Sequence, residues 1–293
     1  MAPTPPPFAS KEYWEDRFQK NEQAFDWLLP ASCMDPHITE ALSFRPEGSS
    51  NILHIGCGTS LLSFHLRAHV DDPAQIHNVD FSAKAIEWGV RNERDRFCKQ
   101  QGDGIRDVRD GAYKGGSTGS HNMMRWSQVS LLSQMSILST CSQSTYSVIV
   151  DKSTADAIAC GDDVEVLFKY SRACENTAFQ PIKQPHNETS AFVHPVCILA
   201  LHLALLAAPY CRWIVISYSS TRFQFLDNNG SIAESLPFEL LERGYPDPAR
   251  YWRLVSKEAI DAPEEKNAGP VHRPRISHWL YVLERTDVDL RPW

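Results

Sequence analysis

Two apolar runs, Asn51–Ile55 and Ile76–Asp80, are each followed by a helical pattern, and this alternation points to an α/β sheet wound in both directions. A third run, Tyr146–Asp151, is apolar up to a terminal acid, as expected of a parallel strand buried on both faces. Between the first run and its helix lies the turn Gly56-Cys57-Gly58. Together these features predict a Rossmann-like, doubly wound sheet, mostly parallel.

The elements follow in order. Residues 1–10 are Pro-rich and are expected to be a disordered tail. From Lys11 to Leu29 the spacing is helical, with Tyr13, Trp14, Arg17, Phe18, Phe25 and Trp27 gathered in it. Strand 51–55 leads to a helix over about 60–69, and strand 76–80 to a helix over 82–97. Residues 101–122 are rich in Gly, Asp and Ser, too polar to pack, and read as an insertion. A third strand is expected at 123–128 and the fourth at 146–151. A second insertion spans 175–194, before a helix at 195–207 and a fifth strand at Arg212–Ser217. Tyr251–Ser256 and Ser277–Glu284 have no full helix between them, only the Pro-rich loop 261–274. They are expected to pair antiparallel, which makes the C-terminal strand an antiparallel one at the sheet edge. No internal repeat is present, so 11–293 reads as one domain with two loop insertions.

Composition removes several classes of function. The 293 residues carry a formal charge of −7 and no Lys/Arg block, which excludes a nucleic-acid footprint. The longest apolar run, Val196–Ala208, is too short to span a bilayer and contains His202, so no membrane association is expected. The eight cysteines are scattered without a C-x-x-C pair, which fits reduced thiols in the cytoplasm or the nucleus. No secretory leader is legible at the start. His65 and His69 have i, i+4 spacing, but no third metal ligand accompanies them in the sequence, so they read as a helix surface. No Gly-x-Ser-x-Gly elbow or Walker loop occurs.

The turn and the acid that follows it suggest a ligand. Glycines at 56 and 58 let a backbone approach a cofactor, and a carboxylate at Asp80, ending the next strand, suits ribose hydroxyls. The bland alternative for Asp80 is a cap on the helix opening at Ser82. A dinucleotide fingerprint needs a third glycine where Leu61 stands. A cofactor without a pyrophosphate therefore fits better, and S-adenosylmethionine is the obvious one.

Four blocks carry a resemblance to a known family: Tyr13-Trp-Glu-Asp-Arg-Phe18 with Phe25-Asp-Trp27, Ile55-Gly-Cys-Gly-Thr-Ser60, Val79-Asp-Phe-Ser82, and Tyr146–Ala157 with its Asp-Lys-Ser-Thr. A weaker echo is Ser277–Leu283. The chain resembles the class I S-adenosylmethionine-dependent methyltransferases, and within them the branch that includes elongation-factor-1-alpha lysine methyltransferases. The resemblance implies a class I methyltransferase fold. It implies cofactor contacts from Trp14, Phe18, Trp27, Gly56, Gly58, Asp80, Phe81, Ser130, Leu131 and Lys152. Three positions depart from the family pattern: Thr59 where Asn is usual, Ser153 where Gly is usual, and Ser130 where an adenine-reading Asp is usual.

Asp151 and Lys152 are the candidate catalytic residues, with Asp151–Thr154 and Tyr218–Arg222 as candidate walls of the acceptor pocket. Both segments follow strand ends, where open α/β sheets bind ligands. Asp156 reads as structural. The resemblance implies methyl transfer to a protein lysine, with an elongation factor as one possible partner. The alternatives are a small-molecule acceptor and an inactive Rossmann-type binding protein; a nicotinamide oxidoreductase is disfavoured by Leu61.

Overall fold

The computed structural model describes residues 5–21, 23–43, 50–98, 123–168, 189–226, 236–261 and 277–293. The insertion expected at 101–122, the part of the second up to residue 188, and most of the Pro-rich loop 261–274 lie outside the described residues. So do residues 1–4 of the expected tail.

Seven strands form one sheet in the order β3-β2-β1-β4-β7-β9-β8. They are β1 (Ile52–Ile55), β2 (Ile76–Asp80), β3 (Arg125–Gln128), β4 (Tyr146–Lys152), β7 (Ala207–Ser217), β8 (Trp252–Asp261) and β9 (Ser277–Arg285). The first five run parallel to one another. β9 runs antiparallel to both β7 and β8, so the expected antiparallel pair closes this side, with β8 outermost. Strand β1 leaves the centre on one side toward β2 and β4 takes the other. The crevice at the carboxyl ends of β1 and β4 is therefore the switch point of the winding.

Burial follows sequence. β1, β2 and β4 are buried at every position, as apolar strands covered on both faces must be. Helix α7 (Pro195–Leu206) is buried all round, so the apolar run that could not span a membrane is core. Among the described residues no helix is long and apolar enough to cross a membrane. The remaining helices are α1 (Lys11–Lys20), α2 (Asp35–Ser43), α3 (Leu62–His65), α4 (Ala83–Glu93), α5 (Gln134–Thr140), α6 (Thr154–Ile158) and α8 (Phe238–Glu242). Ser10, Ser82 and Ser133 cap α1, α4 and α5 by accepting an orphan backbone N–H from the first turn.

Two expectations change. The second insertion does not extend to 194, because Thr189–Val193 forms strand β6, paired antiparallel with β5 (Val164–Phe168) in a separate two-stranded sheet. The tail does not extend to residue 10 either. Phe8 packs its ring within 6.1 Å of Tyr13, Trp14 and Trp27, and its carbonyl accepts a 2.7 Å hydrogen bond from Trp14 Nε1. An aromatic side chain recovers more by this burial than a polar tail could.

Candidate active site

Strand β1 ends in the turn that the sequence singled out. Gly56 and Gly58 adopt φ of +54° and +49°, in the left-handed region that glycine occupies without a steric cost. A Cβ on Gly56 would lie 2.1 Å from Thr154 Oγ1, itself bonded to the Ile55 carbonyl at 3.0 Å. The turn thus packs directly on the start of α6. On Gly58 a Cβ would press on the Phe18 ring at 3.3 Å.

Asp80 braces this turn from β2. One carboxylate oxygen accepts the Gly58 N–H at 2.9 Å and the other the Ser82 N–H at 2.8 Å. Burial pushes its pKa up to about 6, with nearby Glu15 adding to the rise against the two backbone bonds. Asp80 lines the cavity, and each oxygen retains capacity to accept a further hydrogen bond. The cap expected as its bland alternative is supplied by Ser82, whose hydroxyl accepts from the Ala85 N–H at 3.2 Å.

The N-terminal segment lies over the turn as a strap. The Phe25 N–H donates to the Thr59 carbonyl at 3.2 Å, and Thr59 Oγ1 donates to the Gln23 carbonyl at 3.3 Å. Glu15 ties α1 to α4 by accepting the Ala83 N–H at 2.9 Å. Trp14 stacks on Phe18 at 5.5 Å and meets Trp27 edge-on at 6.2 Å. Trp27 in turn meets Tyr218, at the end of β7, at 6.5 Å.

These groups enclose one cavity of about 800 Å³. Trp14, Phe18, Trp27, Gly56, Gly58, Asp80, Phe81, Ser130, Leu131 and Lys152 all line it, so every cofactor-contact candidate converges there. Tyr218 and Arg222 line it too, as expected of the segment after the fifth strand. Gln128, Ser130 and Ser136 give it a polar side, with Ser130 exposed and its N–H bonded to Ser136 Oγ at 3.0 Å.

Asp151 is a correction. It is fully buried and not among the cavity-lining residues; its carboxylate accepts the Thr154 N–H at 2.7 Å and the Ala155 N–H at 3.2 Å. Burial, and then the neighbouring Asp156, raise its pKa to about 7. The bonds from Thr154 and Ala155 hold the first turn of α6. Lys152 does reach the cavity, but its ammonium donates to Asp26 at 2.6 Å and to the Leu29 carbonyl at 3.2 Å. Asp26 also accepts from Ser60. Burial alone would raise the Asp26 pKa, but these bonds outweigh it and hold the carboxyl below its usual range. Lys152 therefore fastens the strap to the sheet.

Asp156 is structural, as expected, though it borders the cavity. It accepts from Ser217 Oγ at 2.6 Å, the Tyr218 N–H at 2.9 Å and Arg222 at 2.8–2.9 Å, which fixes the loop after β7. Sequence reasoning missed Phe8 and His54. Phe8 stands in a Pro-rich run with no periodicity to mark it. His54 sits inside the apolar strand β1, where it bonds to Ser63 at 3.0 Å and Asn78 at 3.1 Å; burial lowers its pKa to about 4. Asp26 had a legible signal, the single acid inside Phe25-Asp-Trp27.

Comparison with known proteins gives three findings. No family model matches the chain. The chain is 34% identical over 165 residues to a protein named methyltransferase srdJ from Neurospora crassa, spanning 56% of this chain and 60% of that protein. Among solved structures it is similar to a SAM-dependent methyltransferase from Anabaena variabilis, with TM-score 0.48 and 11% identity, covering 97% of this chain and 96% of that one. It is also similar to magnesium protoporphyrin IX methyltransferase from Synechocystis with bound SAM, at TM-score 0.46 and 9% identity over 98% of this chain and 100% of that one. The fold is a Rossmann-like doubly wound sheet, mostly parallel. Its marks here are the parallel strands on both sides of β1, the antiparallel β9 and the glycine turn at the switch point.

Proposed function

We propose that this chain is an S-adenosylmethionine-dependent methyltransferase acting on a small-molecule acceptor by direct in-line displacement. The observation that carries it is the convergence of the left-handed glycine turn, Asp80 and the Trp14–Phe18 stack on one cavity. The match to a named methyltransferase supports it.

The residues fit the cofactor. Asp80 would accept from the ribose hydroxyls, Phe81, Ser130 and Leu131 would border the adenine, and Gly56 leaves the backbone bare beside the amino-acid part. When bound, S-adenosylmethionine supplies an electrophilic methyl group on a sulfonium. Trp14 and Trp27 line the cavity, and an indole face against that cation would add roughly 1–2 kcal/mol when desolvated. Lys152 with Asp26 holds the strap in place beside the cavity. Alignment of the acceptor is the main task left to the protein, since effective concentration supplies much of the rate.

A volume of about 800 Å³ is near the upper end of pockets that hold one drug-sized ligand, so it leaves room beside a nucleoside cofactor. Phe8, Trp27 and Tyr218 wall that remaining space, which suits a compact, partly apolar acceptor. No disulfide joins Cys33, Cys57, Cys141, Cys160, Cys197 or Cys211, which suits a cytoplasmic setting. The competing acceptor is a protein lysine, favoured by the net charge of −7, which would attract a basic partner.

The test is incubation with radiolabelled S-adenosylmethionine and two fractions of one lysate, a protein-free metabolite extract and the proteins. Label in a low-mass product supports the small-molecule acceptor, and label confined to a protein band moves the assignment to lysine. Failure of the folded protein to bind S-adenosylmethionine in calorimetry would reject methyl transfer altogether.

A further inference from the structure

The sequence left His65 and His69 as a pair without a third ligand, and the fold supplies one. His65 ends α3, and His69 ends the 3-10 turn Leu66–His69 that continues it. One helical turn apart, the two imidazoles share a face, with centroids 5.9 Å apart. Asp35 opens α2, thirty residues earlier in the chain, and reaches the same point. Its Oδ1 lies 2.6 Å from His65 Nε2 and 2.9 Å from His69 Nε2. The three ligand atoms all fall within 4.8 Å of one another.

The scaffold beneath is rigid. Met34 precedes Asp35, Leu66 follows His65, and Leu62 and Leu66 lie three residues before His65 and His69; all three are fully buried, so the backbones bearing the ligands are fixed by the core. The ligand heads stay reachable: the His65, His69 and Asp35 side chains are 33%, 11% and 35% exposed. None of the three lines the large cavity, so the group is separate from the candidate active site.

We propose that Asp35, His65 and His69 form a binding site for a divalent transition-metal ion of the zinc type, pinning α2 to the helix that follows the glycine turn. Two imidazole nitrogens and one carboxylate oxygen suit Zn²⁺, Co²⁺ or Ni²⁺, whereas Mg²⁺ and Ca²⁺ want oxygen throughout. Three protein ligands leave at least one position for water. Tetrahedral zinc at about 2.0–2.1 Å from each donor sets the donors roughly 3.3 Å apart. The 2.6 and 2.9 Å contacts need to open by roughly 0.4–0.7 Å to admit it. In the metal-free state both Nε2–H groups donate to Asp35. Binding moves each neutral ring to the Nδ1–H tautomer, so Nε2 presents its lone pair, and a protonated ring releases its proton. The ion then replaces a shared hydrogen-bond acceptor with three direct bonds.

The test uses the full chain after chelator treatment, titrated with zinc chloride and, separately, magnesium chloride, by calorimetry and thermal melting. Cobalt chloride reports the ligand field through visible absorption. One zinc equivalent should bind and raise the melting temperature, and magnesium should do neither. The double variant His65→Gln/His69→Gln should lose the cobalt bands and at least about tenfold in zinc affinity. Asp35→Asn should lose about as much. These side chains are partly exposed, so the variants should match the wild type in circular dichroism. Should the double variant not fold, the wild type still decides: zinc should shield His65 and His69 from diethyl pyrocarbonate. No zinc binding by the wild type, unchanged affinity in the variants (ions held by cysteines instead), or histidines that stay modifiable in zinc would each reduce the cluster to a pair of His–Asp hydrogen bonds.

Discussion

Replacing Ser153 by glycine should stabilise the fold, and the structure sets the size of the effect. Ser153 stands between β4 and α6 with φ +70° and ψ +10°, a left-handed conformation that costs an L residue about 1–2 kcal/mol. The backbone cannot relax out of it. Its N–H is bonded to the Ile216 carbonyl at 2.9 Å, and its carbonyl accepts from Ala157 at 3.0 Å. The hydroxyl adds a second cost, because Oγ is buried without a partner, worth about 1–3 kcal/mol of lost hydration. Against these gains, glycine loses roughly 0.5–1 kcal/mol more conformational entropy on folding. The net for Ser153→Gly is about 1–4.5 kcal/mol of added stability, or roughly 2–7 °C in Tm for a chain of this size. Calorimetric melts with and without S-adenosylmethionine give the full picture. Ser153 lines the cavity, so a bound ligand that accepts or donates at Oγ would lose about 1 kcal/mol, near fivefold in affinity, in the variant. A variant that melts at or below the wild type without ligand would refute the strain argument.

Three further outcomes follow from the same geometry. Gly56→Ala should cost about 2–4 kcal/mol in urea unfolding, since its methyl group would collide with Thr154 in a left-handed backbone; a loss under 1 kcal/mol would mean the turn is more open than described. Ser130→Asp should tighten S-adenosylmethionine binding by about 1–2 kcal/mol, because position 130 is exposed enough to spare the carboxylate a heavy desolvation cost; weaker binding at unchanged Tm would place the adenine elsewhere. The pH dependences of binding and stability should run in opposite directions. Ribose binding needs ionised Asp80, so affinity should fall as pH drops through about 6. The raised pKa values of Asp80 and Asp151 mean that their stability contribution is full below pH about 4 and lost as pH rises through about 6–7. Melts and titrations across pH 4–8 that moved together would contradict this.

Strands β1, β2 and β4 were legible because they are buried on both faces, so sequence and burial coincide: the second strand falls at Ile76–Asp80 as read from its apolar run. The glycine turn and Asp80 were legible because backbone chemistry demands those residue types. The β5–β6 hairpin was not, since Thr189–Val193 follows a long polar stretch and only pairing with Val164–Phe168 makes it a strand. α5 and α6 are too short to show a helical period. Asp151 misled for a physical reason: a carboxylate at a strand end can serve a ligand or the next helix. Only the positions of the Thr154 and Ala155 amides distinguish the two. Asp35 could not be joined to His65 and His69 by spacing, because the link runs between elements.

The edge-on contact between Trp27 and Tyr218 joins points 191 positions apart in the chain. It ties the strap to the loop after β7 while the Lys152–Asp26 bond ties the strap to β4, so strap and loop are expected to open together. Amide hydrogens near residues 14–29 and near 217–222 should then exchange at a common rate, and slow together when a ligand fills the space between them. Adding a ligand would look, in exchange data, like tying a knot between the two ends of the domain.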